Sequence, residues 1–230
     1  MLRDADVLAC EDTRRTRKLL THCEISGAGR LISFHEHNET ERIPDLLARV
    51  QVGEIVAVVS DAGMPGISDP GSRLVQAAAQ ANMEVSVVPG PSASLAALVV
   101  SGLPTYAFCF EGFLPRKAST RSQRISAVAQ DMRTAIIYES PYRVGDTLVD
   151  LAGTCGGERR VAVVRELTKI HEHVWRGTLA EAVQAWQDPS NPVPWSKGAK
   201  ARGEYVLVVQ GAPKGLGTDG KSRGKSFSAD

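Results

Sequence analysis

The chain has 230 residues, 43% hydrophobic and 23% charged, with a formal net charge of +1. That balance predicts a soluble globular protein of one large or two small domains and excludes polyanion binding driven by bulk charge. No apolar run reaches the roughly 18 residues of a membrane span, and Cys10, Cys23, Cys109 and Cys155 are scattered without a CxxC pair, which argues against a zinc ribbon or a disulfide framework.

Along the chain, Leu2-Arg3-Asp4-Ala5-Asp6 reads as a helical pattern running straight into a strand at 7–10. Charged residues stand there in place of a signal peptide's apolar core, so a cytoplasmic protein with reduced thiols is expected. Further strand-like runs fall at 31–34, 55–59, 85–88, 108–111, 135–138, 161–164, 174–177 and 205–209. Helical spacing of apolar residues appears at 42–50, 74–81 and 95–100, and Val144, Leu148 and Leu151 share one helix face after Pro141. The alternation predicts an α/β fold of two domains with largely parallel sheets and a cleft between them. Ser101-Gly102-Leu103-Pro104 is the expected hinge, giving domains 1–103 and 104–211 and a basic, disordered tail at 212–230.

Polar clusters recur where strands end. After 55–59 comes Ser60-Asp61-Ala62-Gly63-Met64-Pro65-Gly66-Ile67-Ser68-Asp69-Pro70-Gly71, longer than an ordinary strand-to-helix connection. Its glycines allow close approach of backbone to a ligand, and Asp69-Pro70 reads as an N-cap and first helical residue. Pro89-Gly90-Pro91-Ser92-Ala93 follows the run 85–88, with Ser92 either capping a helix or contacting a ligand. Glu11-Asp12 precede a basic stretch, Tyr138-Glu139-Ser140-Pro141 and Arg165-Glu166-Leu167-Thr168-Lys169 repeat the arrangement in the second half, and residues 113–124 hold four basic side chains and no acidic one. His35-Glu36-His37 and His171-Glu172-His173 each place two imidazoles on one side of an extended segment, but each lacks a third ligand, so no metal is expected. Neither GxGxxG after a strand nor GxxxxGK[ST] occurs, which disfavours ordinary dinucleotide or triphosphate binding.

Taken in order, Cys10-Glu11-Asp12-Thr13-Arg14, Phe34-His35-Glu36-His37-Asn38-Glu39, the string from Ser60 to Gly71, Pro89-Gly90-Pro91-Ser92-Ala93, Phe110-Glu111-Gly112-Phe113-Leu114-Pro115, Tyr138-Glu139-Ser140-Pro141, Arg165-Glu166-Leu167-Thr168-Lys169 and Trp175-Arg176-Gly177-Thr178-Leu179 resemble the bacterial ribosomal RNA small-subunit methyltransferase I family. The resemblance spans nearly the whole chain up to Gln210. It implies an S-adenosylmethionine-dependent enzyme related in fold to the tetrapyrrole methylases, a homodimer of two α/β domains with cofactor in the cleft. It further implies methylation of the ribose 2′-hydroxyl of a cytidine in small-subunit ribosomal RNA or the assembled small subunit.

By similarity, Ser60, Asp61, Ala62, Gly63, Pro65, Gly66 and Ile67, with Ser92, Ala93, Glu139 and Leu167, line the cofactor. Glu11, Asp12, His35, Glu36 and Lys169 are the unranked candidates for catalysis, with Glu11 and Asp12 expected beside the target ribose. Arg14, Arg116, Lys117, Arg121 and Arg143 are the candidates for RNA phosphate contacts. The family's opening strand and Pro-Ile-Gly-Asn-type turn, about 20 residues with the early helix, have no counterpart here, and a start upstream of Met1 is expected. A small-molecule methyltransferase of the same fold and a catalytically silent RNA-binding protein stay open as alternatives.

Overall fold

A computed structural model describes residues 1–190, 192–198, 200 and 202–213. The chain divides into two compact units, Met1–Ala96 and Ala97–Asp230.

In the first unit, strands β1 (Val7–Cys10), β2 (Leu31–Ser33) and β3 (Val56–Val59) form a parallel sheet in the order β2-β1-β3. All four residues of β1 are buried, as befits a central strand covered on both faces. Alternate side chains serve opposite cores. Val7 and Ala9 pack with Phe34, Leu46 and Leu74 beneath helices α2 (Glu39–Gln51) and α3 (Ser72–Gln80). Leu8 and Cys10 pack with Leu20 of helix α1 (Thr13–His22). Pro44 sits inside α2 without ending it.

Two expectations change in this unit. Residues 2–4 form a turn and not a helix, with the Asp4 and Ala5 N–H groups donating to the Met1 carbonyl. The run 85–88 forms no strand. Val85, Val87 and Val88 are exposed, because no strand among the described residues lies beside them to complete a ladder. For the same reason β3 is only half-buried, with β1 on one side and no described strand on the other.

Helix α4 (Ala93–Ser101) contains the division between the units, since Ala97 and Leu98 are buried against the second sheet. The segment expected as the hinge lies at its carboxyl end, where the Ser101 hydroxyl donates to the Leu98 carbonyl at 2.7 Å and accepts the Leu103 N–H at 3.0 Å.

The second unit carries β4 (Phe108–Phe113), β5 (Thr134–Glu139), β6 (Arg160–Arg165), β7 (His173–Thr178) and β8 (Tyr205–Val209) in the order β4-β5-β8-β6-β7. Only β4 and β5 run parallel; the three other pairings are antiparallel, which corrects the expectation of a largely parallel sheet. The period-2 pattern could not reveal this, because β6 and β8 are buried on both faces and read like parallel strands. Helices α5 (Ala118–Gln130), α6 (Val144–Cys155) and α7 (Leu179–Gln187) cover one face, with Val144, Leu148 and Leu151 buried as their spacing predicts. A capping box between Thr178 and Glu181 starts α7. The tail expectation from residue 214 onward falls outside the described residues. Among those described, no helix is long and apolar enough to cross a membrane.

Gly145, on the buried face of α6, meets the Trp186 indole so closely that an added Cβ would lie 2.1 Å from the ring. Gly145→Ala gains up to about 1 kcal/mol of helix propensity but forces the indole aside, at about 1–3 kcal/mol. The expected outcome is a net loss of stability in urea unfolding together with a shifted Trp186 emission.

Candidate functional site

Parallel strands β1, β2 and β3 end on the same edge of their sheet, and the loops leaving that edge carry most of the conspicuous polar residues. Ligands of open α/β sheets bind outside such carboxyl ends.

The loop 60–71 leaves β3 and turns back on itself. The Gly66 N–H donates to the Pro70 carbonyl at 3.1 Å, and the Ile67 N–H to the Met64 carbonyl at 3.3 Å. Gly66 has φ +80° and Gly71 φ +127°, conformations that a side chain would strain. Gly71 and not Asp69 is the N-cap of α3, so the expected Asp69-Pro70 helix start lies two residues too early. Beside this loop runs the turn at 89–92: an added Cβ on Gly90 would lie 3.6 Å from Met64 Sδ, and one on Gly63 3.8 Å from the Pro91 carbonyl oxygen. Ser60, Asp61, Ala62, Gly63, Pro65, Gly66, Ile67 and Ser92 are thereby gathered at one edge. The Ser92 and Ser94 hydroxyls pair at 2.9 Å, and Ser92 Oγ lies 3.5 Å from the Leu95 N–H, in a capping arrangement for α4 that Ala93 opens.

Two carboxylates hold the loop at its ends. Glu11 Oε2 accepts the Asp61 N–H at 2.9 Å, and Glu39 Oε1 accepts the Gly71 N–H at 3.0 Å. Glu39, which the sequence offered only as the last residue of the string beginning at Phe34, is buried. The Asp61 carboxylate takes Arg15 at 3.3 Å. Neither Glu39 nor Arg15 was singled out by the sequence, whose only signal was their place in strand-end strings.

Asp12 is the N-cap of α1, accepting the Arg14 N–H at 2.8 Å, and its other oxygen pairs with Arg14 Nη2 at 2.8 Å. The Arg14 guanidinium, with these backbone bonds, holds the Asp12 carboxyl well below the usual range. The His35 and His37 rings meet edge to face at 5.9 Å, and among the described residues no group of three ligating side chains assembles. His35 Nδ1 is buried without a hydrogen-bond partner, while Glu36 is exposed. In the second unit the other histidine pair separates. His173 joins β7, where burial and Arg165 push its pKa down, while His171 stays outside the strand.

Glu139, expected to line the cofactor, is fully buried at the end of β5. It accepts the Ser140 N–H at 2.8 Å and the Thr147 hydroxyl at 2.7 Å, with Arg143 Nε at 3.6 Å and Arg121 Nη1 at 3.8 Å. Arg121 also bonds Asp150 and Thr147, and Arg143 donates to the Leu114 and Pro115 carbonyls. These two arginines are internal partners of a buried carboxylate, which corrects their expected place as free phosphate contacts. Arg116 and Lys117 are exposed immediately before α5, and Arg124 is turned onto Glu111. Leu167 packs its side chain against the core of the second sheet between two non-glycine residues of positive φ, Glu166 and Thr168. Lys169 is held 3.0 Å from both Glu166 and Glu204. Partial burial works against its charge, but the bonds to the two carboxylates outweigh it and raise its pKa, so it stays a cation.

This strand-end architecture is that of a class of methyltransferases. Residues 1–183 match the model of the tetrapyrrole (corrin/porphyrin) methylases. Solved structures of similar fold include a conserved hypothetical protein from Aeropyrum pernix K1 (TM-score 0.64, 18% identity, 91% of this chain and 77% of that one) and diphthine synthase (TM-score 0.60, 15% identity, 91% and 81%). A uroporphyrin-III C-methyltransferase from Thermus thermophilus, solved with S-adenyl homocysteine, aligns at TM-score 0.53 with 17% identity over 91% and 87%.

Sequence relatives narrow the class. Proteins named ribosomal RNA small subunit methyltransferase I share 48% identity in Synechocystis sp., 46% in Mycobacterium tuberculosis and 45% in Xylella fastidiosa, each over 92% of this chain and 71%, 70% and 74% of their own lengths. The chain belongs to the ribosomal RNA small subunit methyltransferase I family of the tetrapyrrole methylases.

Removing one partner of a buried ion pair leaves the other uncompensated. Arg121→Met takes one cation from Glu139 while Arg143, Thr147 and the Ser140 N–H remain, so it is expected to lower the unfolding free energy of the second unit by about 1–3 kcal/mol in urea titration. Arg116→Ala, at an exposed position, is expected to change it by less than about 0.5 kcal/mol.

Proposed function

We infer that this protein transfers a methyl group from S-adenosylmethionine to the ribose 2′-hydroxyl of a cytidine in small-subunit ribosomal RNA, acting as a cytoplasmic homodimer. The observation that carries the reading is the adjoining of loop 60–71 and turn 89–92 at the carboxyl edge of a parallel sheet, in a chain of this family. The residues present suit an adenosyl group: Ala62, Gly63 and Ile67 offer small or apolar exposed surface, and the loop brings backbone close without bulky side chains.

Bound there, S-adenosylmethionine supplies a methyl group made electrophilic by its sulfonium. The protein's work is to hold the ribose oxygen about 3 Å from that carbon and in line with the bond that breaks. A neutral hydroxyl is a weak nucleophile, so a proton acceptor helps. Lys169 stays charged between its carboxylates and suits stabilisation of negative charge rather than proton removal. Asp12, tied to Arg14 through both oxygens, is a poor acceptor, and Glu11 has one oxygen engaged by the Asp61 N–H. Glu36, exposed and unpaired among the described residues, keeps its carboxylate open to the proton, while the unpartnered Nδ1 of His35 is buried. Arg116 and Lys117, exposed and unpaired among the described residues, supply phosphate contacts, with Arg14 as a further exposed cation.

The test incubates the protein with methyl-labelled S-adenosylmethionine and small ribosomal subunits lacking the modification. Label is expected in ribosomal RNA at a linkage that resists alkali, because a methylated 2′-oxygen cannot attack the adjacent phosphate. Label in an alkali-sensitive linkage, or transfer to a porphyrinoid and not to RNA, overturns the reading. Gly66→Val, which places a branched side chain at positive φ, is expected to weaken S-adenosylmethionine binding at least about tenfold by calorimetry. Sedimentation of the purified protein tests the dimer.

A further inference from the structure

Loop 60–71 is held by bonds from within and from outside itself. Two internal backbone bonds close its middle, while its first and last segments are tied by side chains from elsewhere in the first unit. At the start, Glu11 reaches from the end of β1 to the Asp61 N–H; at the finish, Glu39 reaches from the first turn of α2 to the Gly71 N–H. Gly71 is the N-cap of α3, and Glu39 accepts its N–H from another helix, as the N3 glutamate of a capping box does locally.

The placement of Glu39 explains how a carboxylate is tolerated at 5% exposure. As the first residue of α2 it lies at the positive end of one helix, and through Gly71 it meets the positive end of a second. Arg73 of α3 donates to the Thr40 hydroxyl of α2 at 3.0 Å, so the two helix starts are fixed side by side and the geometry of the Glu39 bond is set. On the other side, Arg15 of α1 pairs with Asp61 at 3.3 Å and reinforces the end held by Glu11. Charge-assisted bonds of this type are roughly twice as strong as neutral ones.

We propose that Glu11 and Glu39 are positioning residues: they clamp loop 60–71 at both ends into the shape that receives the methyl donor, acting through the Asp61 and Gly71 N–H groups without touching the substrate. The proposal rests on the reading of that loop as the S-adenosylmethionine site. It assigns Glu11 to a role other than the ribose-facing one that the sequence suggested.

The variants are Glu39→Ala, Glu39→Gln, Glu11→Ala and Glu11→Gln in the full chain. Glutamine keeps an oxygen that accepts the N–H; alanine does not. Two measurements are made, hydrogen–deuterium exchange of peptides spanning 60–72 and steady-state methyl transfer to small subunits. Each alanine variant is expected to speed exchange in these peptides and to raise the KM for S-adenosylmethionine about tenfold, with kcat within about twofold, and each glutamine variant to restore both. A purely structural role would lower thermal stability without that split or that rescue.

Three results overturn the proposal: unchanged exchange in both alanine variants, exchange that glutamine fails to restore, or a Glu11→Gln variant that loses kcat and the acidic limb of its pH–rate profile at unchanged KM. The last would make Glu11 a general base. Should Glu39→Ala not fold, Glu11→Ala at the more accessible end carries the comparison. Should the wild type fail to bind S-adenosylmethionine, the functional reading falls, and the exchange data alone decide whether the clamp exists.

Discussion

The first unit depends on the complete burial of β1 between two parallel neighbours. A strand whose four side chains are all removed from water can be covered only by layers on both faces, and parallel pairing on both edges obliges every connection to cross over through a helix. The carboxyl ends of β1, β2 and β3 consequently share one edge, and the residues that follow them, Glu11, Phe34 and Ser60, are brought to it although they are far apart in sequence. The site is a consequence of strand direction before it is a consequence of any single polar residue.

The two units use charge differently. In the first, carboxylates are spent on backbone N–H groups: Asp12 on α1, Glu11 and Glu39 on the loop 60–71. Such bonds tie both ends of a glycine-rich segment to the body of the first unit. In the second unit, Glu139 lies beneath the surface with Arg121, Arg143 and Thr147 around it, and Lys169 is shared by Glu166 and Glu204. A carboxylate buried to that depth is tolerated only with partners of this kind. These arginines therefore fix where β5, α5 and α6 meet, and the exposed cations nearest them, Arg116 and Lys117, are left to face solvent.

Much of the fold was legible. Strand β8 was read with its observed bounds, and the spacing of Val144, Leu148 and Leu151 identified the buried face of α6, because periodic burial leaves a direct imprint on sequence. The run 85–88 shows the limit of that imprint: three valines with high strand propensity stay exposed without a neighbouring strand among the described residues. Helix α5 was hidden for the opposite reason. Its basic, serine-rich sequence has a weak apolar stripe, and only Ile125 and Val128 reach the core.

The sequence by itself determined the α/β class, the strand-end position of the loop at Ser60 and, through ordered motifs, the family. These are properties of local pattern. Tertiary structure alone decided that the second sheet is mostly antiparallel, that Glu139, Arg121 and Arg143 neutralise one another, and that Glu39 is buried against Gly71. Strand direction and the partner of a charge depend on which distant segments meet, and a residue's own neighbours in the chain carry no record of that.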